Sequence, residues 1–128
     1  MRSPEVAAVD AFDLPEWLGV DHVIWSAATS IGASHLVDGL LRTDAEELAC
    51  DVLAGDLAFP APVLTEGWRH DAHQAWAHGQ VLLVSRDERL TLVVPGSSVG
   101  VERALEAVRR LAKAVGAPAE RFSVSLRL

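Results

Sequence analysis

Residues 80–94 read Gln80-Val81-Leu82-Leu83-Val84-Ser85-Arg86-Asp87-Glu88-Arg89-Leu90-Thr91-Leu92-Val93-Val94. Two apolar runs flank one short charged loop, and that arrangement predicts a β-hairpin. Neither run alternates. Val81-Leu82-Leu83-Val84 and Leu92-Val93-Val94 are apolar on both faces, so both strands belong inside a sheet covered on each side. The covering elements have to come from the rest of the chain.

Downstream, Pro95-Gly96-Ser97-Ser98-Val99-Gly100 joins the second strand to a helix, with Ser98 as the expected cap. Val101, Ala104, Leu105, Val108, Leu111, Ala112 and Val115 keep the i, i+3, i+4 rhythm, and Gly116 and Pro118 stop it. Glu106 and Arg110 have the spacing for an outer-face ion pair. The last segment alternates strictly: Phe122, Val124, Leu126 and Leu128 against Ser123, Ser125 and Arg127. It reads as an edge strand with one face buried, and an exposed edge invites pairing with a second copy.

Upstream, residues 65–79 predict another helix, capped by Thr65, with a Trp68 stripe opposite a polar face. Before it lie three alternating strands. Val23, Trp25 and Ala27 share one side of the first, and Val37, Gly39 and Leu41 one side of the second. Leu48, Cys50, Val52 and Ala54 form the apolar side of the third, with Asp51 on the other. Pro60 and Pro62 forbid its continuation. Leu14-Pro15-Glu16-Trp17-Leu18-Gly19 predicts a helical turn, and residues 1–13 a loose arm. The expected fold is therefore α+β. A single domain spans 14–128 in the order (short α)-βββ-α-ββ-α-β, a mainly antiparallel sheet with two helices packed on it.

Composition narrows the function classes. The chain has 128 residues, half of them hydrophobic, and a formal net charge of -7. That charge repels phosphate backbones and anionic membrane surfaces, so neither nucleic acid nor membrane is an expected partner. Cys50 is the only cysteine, so no internal disulfide is needed. The first residues carry acids and lack a sustained apolar core, unlike a secretory signal. A cytoplasmic location is expected. Arg outnumbers Lys ten to one and Asn is absent, which suggests a GC-rich, actinobacterial genome.

Candidate chemistry is sparse. Glu66, His70 and His73 fall on one face of the 65–79 helix, a donor set that a divalent metal accepts, with His22 or His35 as further ligands. The spacing matches no zinc signature, and a wet polar helix face is the plainer reading. Gly96, Ser97 and Ser98, ahead of a helix, form a candidate anion site but complete neither phosphate-binding motif. A Cys–His site is conceivable on residue types. However, Cys50 falls on the apolar side of its strand, where a thiol behaves as an inert hydrophobe. Trp17, Trp25, Trp68 and Trp76 read as core pieces before they read as a pocket lining.

Several stretches carry a resemblance: Leu14-Pro15-Glu16-Trp17-Leu18-Gly19, Cys50-Asp51-Val52-Leu53-Ala54, residues 72–84 and Arg89-Leu90-Thr91-Leu92-Val93-Val94-Pro95-Gly96. Together they resemble a group of actinobacterial proteins of similar length with no assigned function. The element order also resembles the type III secretion chaperone-like fold, with an added last strand. Neither resemblance implies catalytic residues. The function expected is a non-enzymatic binding or adaptor domain that needs no cofactor and pairs with itself as a homodimer or with another protein. The alternatives are a metal-dependent enzyme or sensor using Glu66, His70 and His73, and a small-molecule or anion binder at residues 96–100.

Overall fold

The computed structural model describes residues 6–9, 13–32, 35–55, 81–96 and 98–128. Strands β1 (Val6–Ala8), β2 (Val23–Ala27), β3 (Leu36–Val37), β4 (Gly39–Arg42), β5 (Glu47–Gly55), β6 (Leu82–Arg86) and β7 (Arg89–Pro95) come first. Helix α1 (Val101–Ala114), a 3-10 turn at Ala119–Arg121 and strand β8 (Phe122–Ser125) follow. The strands form one sheet in the order β1-β6-β7-β5-β4-β2-β8, and β3 pairs with β5 beside β4.

Local chemistry accounts for the turns. Thr43 closes the connection from β4 to β5: its hydroxyl accepts the amides of Ala45 and Glu46, and its own amide donates to Glu46 O. The β6–β7 hairpin turns on Asp87 and Glu88, both at positive φ (51° and 66°). That backbone twist matches the twist of the flanking strands, which is why two-residue hairpins adopt it. The turn at residues 16–20 abuts the carboxyl end of α1. A side chain at Gly19 would stand 2.3 Å from Val115 O, so only glycine fits there.

Strand directions determine what α1 covers. β2, β4 and β5 are an antiparallel meander, and β5 runs parallel to β7. β8 is parallel to β2, so β7 and β8 also run the same way. A connection between parallel strands has to cross the sheet. Here α1 makes that crossing over β5, β4 and β2, and packs on β7 and β8. Its buried Ala104, Ala107, Val108 and Leu111 meet Val23, Trp25, Leu41, Cys50, Val52 and Leu92 in one core. Alanine on the inner face lets the helix lie close. On the opposite face, Leu53, Val84 and Val93 form a second, smaller cluster on β5, β6 and β7, with half-buried Leu36 and Leu82 packed against it. Beyond it, over β2 and β8, that second face carries exposed Ile24, Ser123 and Ser125.

The expected α+β arrangement, a mainly antiparallel sheet with two packed helices, needs correction. The described residues form a predominantly β architecture with one α-helix and a mixed sheet containing two parallel pairs. Alternation reports which side of a strand is buried; it carries no information on the neighbour or its direction. Two strands escaped the expected order. Val6–Ala8, inside the segment read as a loose arm, pairs with Ser85 and its neighbours on β6. The second expected strand is interrupted at Asp38 and becomes β3 and β4. The helix expected at residues 65–79 lies outside the described residues. α1 itself matches its periodicity, but its N-cap is Gly100 without a side-chain bond, not Ser98. Glu106 and Arg110 do pair, at 3.0 Å.

Candidate functional site

The polar feature with the most contacts grows out of the interruption at Asp38. The register continues across it, with Val37 opposite Val52 and Leu40 opposite Ala49. Asp38 and Gly39 thus come opposite Asp51 and Cys50 without pairing. Side chains take over. The Gly39 amide donates to Asp51 Oδ1 at 3.1 Å. Arg89 reaches over from β7 and grips the same carboxylate twice, Nε to Oδ2 and Nη2 to Oδ1, each at 2.8 Å. Its Nη2 also donates to Gly39 O at 3.4 Å. On the other face, Trp25 lays its indole across Gly39 and donates Nε1–H to Cys50 O at 2.8 Å. A Cβ on Gly39 would lie 2.6 Å from both that ring and that carbonyl.

This cluster works as a clasp. Asp51 is wholly buried, and a buried carboxylate persists only when paired and hydrogen-bonded. Arg89 is 41% exposed, so its guanidinium covers the carboxylate from the solvent side. The hydrogen bonds it donates to Asp51 hold that guanidinium above its ordinary pKa. Burial, then the Asp51 charge, push the Cys50 thiol far above the usual thiol range, and Arg89 and Trp25 offset this only in part. A buried thiol held neutral is no nucleophile. Thr91, also buried, sits beside Asp51 in register and donates its hydroxyl to Arg89 O. The polar capacity of the cluster is used inside the sheet. Sequence reading placed Asp51 off the apolar side but missed its burial. The available signal was a lone acid inside an apolar strand, with an arginine opening another.

The second candidate is the edge at β8. Among the described residues no strand pairs with its outer side. Exposure alternates from Arg121 to Arg127: the arginines, Ser123 and Ser125 are exposed, while Phe122, Val124 and Leu126 are half-buried. Leu128 is 80% exposed. Arg121 Nη1 donates to Val20 O, just before β2, and Arg127 Nη1 donates to Ala28 O, just after it. The two guanidinium groups are thereby anchored at opposite ends of the β2–β8 pair.

The other expected residues are distributed as follows. Glu66, His70 and His73 lie outside the described residues, as do Trp68, Trp76 and Ser97. His22 is exposed, with Nε2 3.3 Å from Ser123 Oγ, and His35 is exposed ahead of β3. No group of three His, Cys, Asp or Glu suited to a metal occurs among the described residues. Gly96 has φ 130°, and the Arg103 guanidinium occupies the space a side chain there would need. Arg103 Nη1 donates to Ser98 O, so that loop is tied to the first turn of α1. Trp25 is fully buried and Trp17 half-buried, both in the main core. No helix among the described residues is long and apolar enough to cross a membrane. Compared with known protein families, curated proteins and solved structures, the chain matches none.

Proposed function

We propose that this chain is a non-enzymatic binding domain that accepts an added strand along the free edge of β8. The observation that carries the reading is the position of β8 at the end of the sheet, with its alternation intact. An unpaired strand edge offers a row of backbone donors and acceptors, and strand addition satisfies them while alternate side chains supply specificity. An added strand would also cover the half-buried Phe122, Val124 and Leu126. The setting is a cytoplasm, where a lone buried thiol stays reduced. With a net charge of -7, the partner is a protein segment and not a nucleic acid.

Hydrogen exchange tests the reading together with sedimentation over a wide concentration range. Binding of a strand-forming segment protects those amides of Phe122–Ser125 that face away from β2 and leaves those of β5 and β7 unchanged. If β8 amides exchange freely in the presence of every strand-forming peptide offered, and the chain stays monomeric, the reading fails.

A further inference from the structure

Resting on the reading of β8 as an acceptor edge, we infer that its occupant is the same edge of a second copy of this chain, paired antiparallel about Val124. Read from either end, Arg121-Phe122-Ser123-Val124-Ser125-Leu126-Arg127 runs cation, apolar, serine, Val124, serine, apolar, cation. An antiparallel pair reverses one strand against the other, so such a stretch is complementary to itself. In the register centred on Val124, Phe122 of each copy lies opposite Leu126 of the other. Ser123 lies opposite Ser125, and Val124 opposite its own counterpart.

Burial fits this register. Phe122, Val124 and Leu126 are half-buried against the core that α1 covers, and Ser123 and Ser125 are exposed on the other face. Pairing about Val124 sets apolar against apolar on the α1 side, where the two cores become continuous, and serine against serine on the open face. A shift by one residue would set apolar side chains against serines. The alignment also reaches past β8: exposure alternates through Arg127, and Arg127 O accepts the Ile31 amide at 2.8 Å. Charge permits the approach at this edge. The chain carries 18 acids against 11 Lys and Arg, and copies of like net charge repel. Residues 121–128 contain no acid, and Phe122–Ser125 carries no charge at all. Arg121 belongs to the 3-10 turn and Arg127 follows the strand. Their guanidinium groups donate to Val20 O and Ala28 O, on the β2 side and not on the free edge.

The test uses the full chain in sedimentation, hydrogen exchange and disulfide trapping. The chain is expected to dimerise as concentration rises, with the β8 amides that face away from β2 protected in step. Ser123 and Ser125 are exposed, so charges placed there leave the core intact. The S123E/S125E variant sets Glu against Glu twice and is expected to weaken self-association about tenfold; S123K/S125K does the same. Mixing the two variants restores a dimer, because each like pair becomes an opposite pair. Register is read by mixing S123C chains with S125C chains. Residues directly opposite lie within disulfide reach, so the mixture cross-links, and each variant alone, offset by two residues, does so about tenfold more slowly. Cys50 is buried and takes no part. Should the charged variants fail to fold, the cysteine variants, close to serine in size, carry the test alone. A chain that stays monomeric while an added strand-forming peptide protects β8 overturns the second copy and leaves the acceptor edge standing. A dimer indifferent to the charged variants and without the mixed cross-link also overturns the inference. A monomer whose β8 amides no peptide protects overturns the acceptor edge itself.

Discussion

Among the described residues the sheet contains two parallel strand pairs, and they differ in almost every other respect. β5 and β7 pair over six positions, from Cys50 opposite Leu90 to Gly55 opposite Pro95. Nearly every residue of that pair is buried, on both faces. β2 and β8 pair over four positions, from Val23 opposite Phe122 to Ser26 opposite Ser125. There one face meets the core through Val23 and Trp25, and the other shows Ile24, Ser123 and Ser125 to solvent. The contrast explains where polar groups can go. Between β5 and β7, a polar side chain must find its partners inside the protein, and Asp51 does so through Arg89 and Gly39. Along β2 and β8, polar groups are left for water or a partner. The first pair is buried on both faces; the second leaves one face open to solvent.

The largest way to break this comparison is Asp51→Ala. It orphans the Gly39 amide and the Arg89 guanidinium, and is expected to lower stability by about 3 kcal/mol in urea denaturation, the low end for a broken buried pair because water reaches Arg89. A loss no greater than that of a surface substitution would mean that the clasp is ornamental. Next comes Gly39→Ala, which drives a methyl into the Trp25 ring and the Cys50 carbonyl. A cost of about 2 kcal/mol is expected, with Trp25 fluorescence reporting the displaced indole.

A smaller effect depends on pH. The folded pKa of Cys50 is raised, so the thiol favours folding fully below its unfolded value and loses that advantage as pH rises past it. Stability is expected to fall by at most about 1.4 kcal/mol per pH unit above about pH 8.5. Cys50→Ala removes that slope; an unchanged alkaline slope in the variant would show the thiol to be accessible or ionised. The smallest effect sharpens the other half of the comparison. Ser123→Ala on the open face is expected to change stability by no more than about 0.5 kcal/mol.

How much of this was legible beforehand follows from the same two pairs. Val23, Trp25, Val37, Leu41, Cys50 and Val52 all occupy the buried side that their alternation predicts. The covered hairpin strands, α1 and the alternating last strand were legible as well, as was the edge character of β8. β3 and β4 were not separable, because the interruption at Asp38 exists only when Asp51, Arg89 and Trp25 arrive from three other strands. Asp51 itself sits at arm's length from Arg89 in sequence, so no local pattern joins them.

The sequence by itself determined which residues face inward, since burial of apolar side chains needs only the period of the element that carries them. Tertiary structure alone decided that β7 lies beside β5 and β8 beside β2, both in parallel. Neighbour and direction depend on loop closure and on the crossing of α1 over the sheet, and neither leaves a mark on the periodicity of a strand. It also decided that one arginine would hold the interior together at Asp51, while Arg121 and Arg127 donate to backbone carbonyls at either end of β2.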